Sequence, residues 1–350
     1  MKGTAQIPDL TARQESEIAA LRNLSARVGN DPLLVQASNG NTSIKLDGIL
    51  WIKASGKWLA DAMREEVLVP VELPKDCEAV DNWTETAERN LLKSEMRPSI
   101  ETAMHAVLSY RVVIHVHSVN AIAWAIREDG PEQLKERLLG LHWQWIPYAP
   151  SGIPLAREIQ KAVARARDTD VFLLGNHGLV VCGADCGAAE ELLFEVERRL
   201  AISPRPFPGP DNTVLSIIAG FAGWQFPDFE TLHALATDEV SLKILKGGVL
   251  YPCQAIFLGQ TMPLLPPAFA ESEFRESLLC KDATPPFVAV EKSGVMLNEK
   301  LTTAQRATLI GLTEVAQRTE ESAPLRYLNK AEVDNVLGLD AHGYFDERLP

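Results

Sequence analysis

Ser43-Ile44-Lys45-Leu46-Asp47-Gly48-Ile49-Leu50-Trp51-Ile52 reads as two strands joined by a two-residue turn. Asp-Gly tolerates the positive φ angles that such a turn demands, and β-rich runs flank it on both sides. Antiparallel pairing is thereby set early in the chain. Ahead of this hairpin, residues 9–28 read as a helix, with Ile18, Leu21, Leu24 and Val28 at three- and four-residue steps behind Asp9 or Thr11 as N-cap. After it, the pattern predicts a helix over 99–110 capped by Ser99, then a strand over 111–117. Ser118 caps a short helix to about Arg127, and Pro154 starts another to about Ala166. An apolar strand over 171–174 ends at Gly175-Asn176-His177-Gly178, extended structure resumes over 179–182, and Asp185 caps a long helix. Strands and helices intermix without regular alternation. The expected class is α/β in the loose sense, an antiparallel or mixed sheet with helices packed on it.

The chain has 350 residues, of which 46% are hydrophobic and 23% charged, so it folds, with room for about two domains. A net charge of −13 argues against a nucleic-acid partner, because neutralising phosphates needs a basic surface. No apolar run is long enough to span a membrane and the first residues lack a signal-like core, so the expectation is a cytoplasmic protein without a membrane partner. Five cysteines, an odd number, fit reduced thiols. Ser203-Pro204-Arg205-Pro206-Phe207-Pro208-Gly209-Pro210 forbids helix and central strand alike. The expected organisation is therefore a catalytic domain over 1–201, a linker over 202–211 and a smaller α+β domain over 212–350. A shift of 116 residues lays Gly178-Leu179-Val180-Val181 on Gly294-Val295-Met296-Leu297, and Leu193 and Val196 on Leu309 and Leu312. That match is compatible with a degenerate repeat in which Ser293 stands where His177 does.

The chemistry gathers around the histidines. In His115-Val116-His117 the two-residue period of a strand throws both imidazoles to one face, a chelating geometry for zinc or for manganese, cobalt or iron. A third ligand is expected, and His177, held in a tight turn between apolar strands, is the best candidate. Glu101 can bring a carboxylate to the same place, and His105, four residues on, reads as the group that orients it rather than as a ligand. A His-X-His pair on its own is often only two half-buried histidines; here Glu101 before it and Asn-His-Gly after it shift the balance to metal. The hairpin's outer ends carry Ser38-Asn39-Gly40-Asn41-Thr42-Ser43 and Ala54-Ser55-Gly56-Lys57, and can present amides and hydroxyls side by side to an anion, with Ser99 adding a hydroxyl.

In their order, Gly40-Asn41-Thr42-Ser43, Ala54-Ser55-Gly56, Pro98-Ser99-Ile100-Glu101 with His105, His115-Val116-His117 and Asn176-His177-Gly178 resemble the class II aldolase/adducin family over about residues 10–201. That family includes fuculose-phosphate and rhamnulose-phosphate aldolases and ribulose-phosphate 4-epimerase. The resemblance implies a mostly antiparallel sheet between helical layers, and a homo-oligomer, often a tetramer. It implies metal ligands His115, His117 and His177, Glu101 as acid/base, and Asn41, Thr42, Ser55, Gly56 and Ser99 around the phosphate of a small sugar substrate. Ile100 departs from the pattern by removing one hydroxyl. The implied activity is reversible aldol cleavage of a ketose through a metal-stabilised enediolate. Epimerisation, dehydration or decarboxylation by the same chemistry stands as the alternative, and a non-catalytic adducin-like binding module as the rival from another class.

Overall fold

The computed structural model describes residues 9–74, 80, 96–274 and 285–340. The chain divides into two compact units. Among the described residues the first holds 9–125, 130–201 and 339–340, and the second 126–129 and 202–338.

The first unit is built on the hairpin. Strands β1 (Asn41–Leu46) and β2 (Ile49–Lys53) pair with Leu46 opposite Ile49, and both turn residues take positive φ, 47° at Asp47 and 81° at Gly48. Strand β3 (Leu68–Glu72) pairs with β2, and β4 (Val112–Val116) covers the other edge of β1. With β5 (Trp143–Ile146), β6 (Val171–Leu174) and β7 (Gly178–Gly183) they form one sheet in the order β3-β2-β1-β4-β7-β6-β5. Only β5 and β6 run parallel. Pro70 hides β3 from a sequence reading, yet it is tolerated because β3 is an edge strand.

Alternation along the strands sorts side chains into two layers. Leu50, Ile52, Val113, Phe172 and Val180 pack with Met104 of α2 (Thr102–Val107) and with Leu155 and Ile159 of α5 (Ile153–Arg165). Helices α1 (Ala12–Gly29), α3 (Val119–Ala125) and α6 (Cys186–Leu200) pack on β1, β4 and β7, and α4 (Gly130–Arg137) follows α3. Thr11 and Gln14 close a capping box on α1, and Asp185 caps α6. Fully buried side chains such as Leu21, Leu50 and Phe172 each contribute roughly 1.5–3 kcal/mol. The result is a mostly antiparallel sheet between helical layers.

The helix expected over 99–110 shrinks to α2, for a local reason. Ser99 Oγ accepts from Glu101 N at 3.2 Å and from Asn41, so it is not free to cap a longer helix. At the other end Lys45 Nζ donates to the carbonyls of Ala106, at 3.1 Å, and Leu108, whose backbone is already extended.

The second unit contains α7 (Asn212–Ala219), β8 (Trp224–Gln225), α8 (Ala234–Thr237), α9 (Glu239–Gly247), β9 (Leu264–Leu265), β10 (Phe287–Val290), β11 (Gly294–Asn298) and α10 (Thr303–Arg318). Its sheet runs β8-β11-β10-β9 over a core of Leu215, Ile218, Trp224, Phe274, Val288 and Met296. Residues 201–211 have no regular structure, as their prolines require. Among the described residues, no helix is long and apolar enough to cross a membrane, and Cys182, Cys186 and Cys253 are free thiols.

Gly178 opens β7 where that strand meets β4, and a Cβ there would lie 2.4 Å from the carbonyl oxygen of Val116. Gly178→Ala is therefore expected to cost about 1–3 kcal/mol by forcing the strands apart beside two histidines. Chemical denaturation measures this, and an unchanged midpoint would contradict the packing.

Candidate active site

Three elements deliver the histidines. His115 lies in β4 opposite Asn41 and Val180, His117 follows two residues on, and His177 sits in the β6–β7 turn, where Asn176 takes φ 51°. All three are buried, and their ligating nitrogens lie within 4.8 Å of one another. The rings meet edge to face, with centroids 4.9–5.0 Å apart. His115 Nδ1 is 3.1 Å from the carbonyl oxygen of Leu179, so that nitrogen carries the proton and Nε2 keeps its lone pair toward His117 Nε2, 3.2 Å away. Burial pushes His117 well below the ordinary histidine range, helped by the two neighbouring imidazoles, and brings His177 down to about 4. Burial thus favours in His117 and His177 the neutral form that metal ligation requires, and a set of three imidazoles suits zinc and its transition-metal neighbours.

Glu101 enters from the position just before α2. Its Oε2 is 3.3 Å from His115 Nε2 and its Oε1 is 3.4 Å from His177 Nε2. Burial would raise this carboxyl, but the imidazoles of His115 and His177, the Asn41 amide and His117 outweigh it and hold the group well below the usual carboxylate range. The carboxylate is anchored at both oxygens: Asn41 Nδ2 donates to Oε2 at 2.9 Å, and Ser151 Oγ donates to Oε1 at 3.2 Å.

Behind it lies a buried relay. Asn41 Nδ2 is committed to Glu101 and to Ser99 Oγ at 3.1 Å, so Asn41 Oδ1 must accept from His105 Nε2. That leaves His105 Nδ1 to accept from the Ser43 hydroxyl at 2.7 Å. His105, expected to orient Glu101 directly, reaches it through Asn41 instead. Asn41, expected at an anion, has its amide engaged by Glu101 and Ser99. Replacing His105 with Phe is expected to leave metal content intact and to lower turnover about 10–100-fold, the range seen when groups behind an active residue are lost. His105→Gln should recover part of it. Wild-type turnover in the Phe variant would show that the relay does not position the carboxylate.

The other expected anion contacts divide. An Ala54–Pro98 bridge and a 2.8 Å bond from Ser55 N to Arg97 O bring Ser55 and Gly56 beside Ser99. Thr42 is a correction. It alternates with Asn41 and Ser43 along β1, so its hydroxyl meets Ser25 of α1 at 2.6 Å and not the site. The sequence reading also missed Lys53, the last residue of β2. It is 2% exposed, and its Nζ donates to Ser38 O at 2.6 Å and Lys57 O at 2.7 Å, tying together the loops on either side of the hairpin. Burial pulls its pKa down to about 7, against the attraction of Glu101. Among the described residues, Ser38 Oγ in the same loop is buried without a hydrogen-bond partner. A lysine in a strand otherwise apolar, Ile49-Leu50-Trp51-Ile52-Lys53, was the available signal.

Residues 20–203 match the model of the class II aldolase and adducin N-terminal domain. An uncharacterized oxidoreductase of Bacillus subtilis, YuxG, is 28% identical over 173 residues, which make up 45% of this chain and 25% of that protein. An L-fuculose phosphate aldolase of Methanococcus maripaludis is 26% identical over 177 residues, 47% of this chain and 86% of that one. The chain thus spans about a quarter of the first relative and most of the second. Among solved structures, the N-terminal class II aldolase domain of a conserved protein from Thermoplasma acidophilum covers 57% of this chain and 98% of its own, at 23% identity and a TM-score of 0.45. With more than half of its length matched by the family model, the chain belongs to the class II aldolase and adducin family.

Proposed function

We propose that the protein is a metal-dependent aldolase that reversibly cleaves a small ketose carrying an anionic group, most simply a ketose 1-phosphate. One observation carries this reading: three buried imidazoles converge on a point that an ionised, doubly anchored carboxylate also reaches. A divalent ion held by His115, His117 and His177, zinc or else manganese, cobalt or iron, would supply a Lewis acid for the substrate's carbonyl and adjacent hydroxyl oxygens, offsetting the negative charge that develops on cleavage. Glu101 moves the proton at carbon. In the synthesis direction it takes a proton from the carbon next to the carbonyl, and after cleavage it returns one. Asn41 and Ser151 keep one hydrogen bond on each carboxylate oxygen, so the group stays aimed while its protonation changes.

Ser55, Gly56 and Ser99 line the place for the anion, and Lys53, buried between the loops on either side of the hairpin, adds positive charge there in its protonated form. Lys53 offsets what Ile100 removes. Lys53→Met is expected to leave metal content unchanged and to raise the KM for a ketose 1-phosphate about tenfold, the value of one charge-assisted contact of about 1.4 kcal/mol. An unchanged KM would remove Lys53 from anion binding. The functional unit is a homo-oligomer, a tetramer by analogy with the family, which analytical ultracentrifugation tests.

The reaction itself is tested with a panel of ketose 1-phosphates, scored by product identity. Release of dihydroxyacetone phosphate and an aldehyde supports the proposal. A sugar phosphate epimer, or carbon dioxide from a keto-acid substrate, would instead place the protein among the epimerases or decarboxylases that use the same site.

A further inference from the structure

We propose that the second unit is a shortened second copy of the half of the first unit that runs from α2 to α6, and that its three metal-ligand positions have become Phe226, Asp228 and Ser293. Only the metal count below rests on the aldolase reading.

Topology carries the match. The order β8-β11-β10-β9 repeats β4-β7-β6-β5, with the same sequence of antiparallel, antiparallel and parallel pairings. Register repeats as well. A shift of 116 residues carries β6 onto β10, and the pairs Val171↔Val181 and Leu174↔Gly178 become Phe287↔Leu297 and Val290↔Gly294. The turns share a non-glycine residue at positive φ, Asn176 at 51° and Lys292 at 59°.

Three backbone bonds around the turns recur. Asn176 N donates to Ala125 O at 2.9 Å, and Lys292 N to Ala236 O at 2.8 Å. Gly175 N donates to Ile146 O at 2.8 Å, and Glu291 N to Leu265 O at 2.9 Å. His177 N donates to Leu174 O at 3.1 Å, and Ser293 N to Val290 O at 3.0 Å. A strand-turn-strand is common, but nothing in a hairpin alone requires the same partners from a preceding helix, α3 or α8, and from a parallel edge strand, β5 or β9. The buried Leu193 and Val196 of α6 recur as the buried Leu309 and Leu312 of α10.

Register then assigns the lost site. Val181 faces Ile114 and Leu297 faces Gln225, so counting on from these pairs His115 falls on Phe226 and His117 on Asp228, both just past the end of β8, while His177 falls on Ser293. Carried back along the chain at the same offset, Glu101 falls on Asn212, the first residue of α7. Phe226 has no donor atom, and Asp228 is engaged by Arg306. Among the described residues, the only group of three potential ligands is that of the first unit. The described residues therefore hold one candidate metal centre and one spent copy of the fold that built it.

Cobalt(II) titration, followed by the visible absorption of the bound ion, tests this. The unsubstituted chain is expected to bind one tight equivalent and His177→Ala none. Adding F226H, D228H and S293H to the His177→Ala chain is expected to restore one equivalent. A restored variant that folds, by circular dichroism and a cooperative melt, yet binds no cobalt overturns the proposal. So does a second equivalent in the unsubstituted chain that survives His177→Ala. If the multiple variant does not fold, a crystal structure of the unsubstituted chain decides: β8–β11 should superpose on β4–β7 in the register given above, and another order or register overturns the duplication. An unsubstituted chain that binds no cobalt while its sheets still superpose counts against the metal reading of the first unit and leaves the duplication standing.

Discussion

Replacing His177 with alanine is expected to abolish metal retention and aldol cleavage together. His115 and His117 remain, but both come from one strand, and the third nitrogen that closes the set is lost. The affinity should fall by more than the roughly 10–100-fold that follows from disturbing a ligand's supporting bonds alone. The fold should survive, because the backbone bond from residue 177 to Leu174 O needs no side chain. Two readouts separate these effects. Metal analysis after dialysis should fall from one ion per chain to none, and thermal melts should show the metal-dependent stabilisation only in the parent protein. At a hundredfold excess over Kd that stabilisation is about 2.7 kcal/mol. A variant that keeps the parent's stoichiometry would remove His177 from the ligand set.

Glu101→Gln separates holding the metal from moving the proton. The amide is close in shape and its oxygen can still accept from Asn41 or Ser151, and the three imidazoles are untouched, so metal content should stay at the parental level. Turnover should drop about 10²–10⁴-fold, the usual contribution of a positioned acid or base. The carboxylate is held well below its usual range and is therefore ionised near neutrality, the form that a base needs. Parental turnover in the Gln variant would mean that another group moves the proton.

What the sequence disclosed divides along a physical line. The hairpin, the capped helices α1 and α6 and the β6–β7 turn were legible because their signals are local: Asp47-Gly48, Asp9 or Thr11 as a cap, Asp185, and the short run around His177. The convergence of candidate metal ligands was legible for a related reason, since a strand's two-residue period alone aligns His115 with His117. Features set by distant partners were not legible. Lys45, from the hairpin, ends α2 early, and β3 looked unlike a strand until its edge position excused Pro70. Ser151 and Lys53 reach the site only through the folded chain, so no spacing marks them. Thr42 was misplaced by treating a run of polar residues as one surface, although neighbours on a strand face opposite layers. In the second unit, β8 and β9 are two residues long, too short to show any period.

The most direct test of the central claim is a crystal structure of the zinc-grown protein, with an anomalous difference map recorded at the zinc edge. The account predicts a peak among His115, His117 and His177, about 2.0–2.1 Å from each Nε2, with the Glu101 carboxylate beside it. Imidazoles turned away from one another with no metal between them, or zinc bound only elsewhere on the chain, would contradict it.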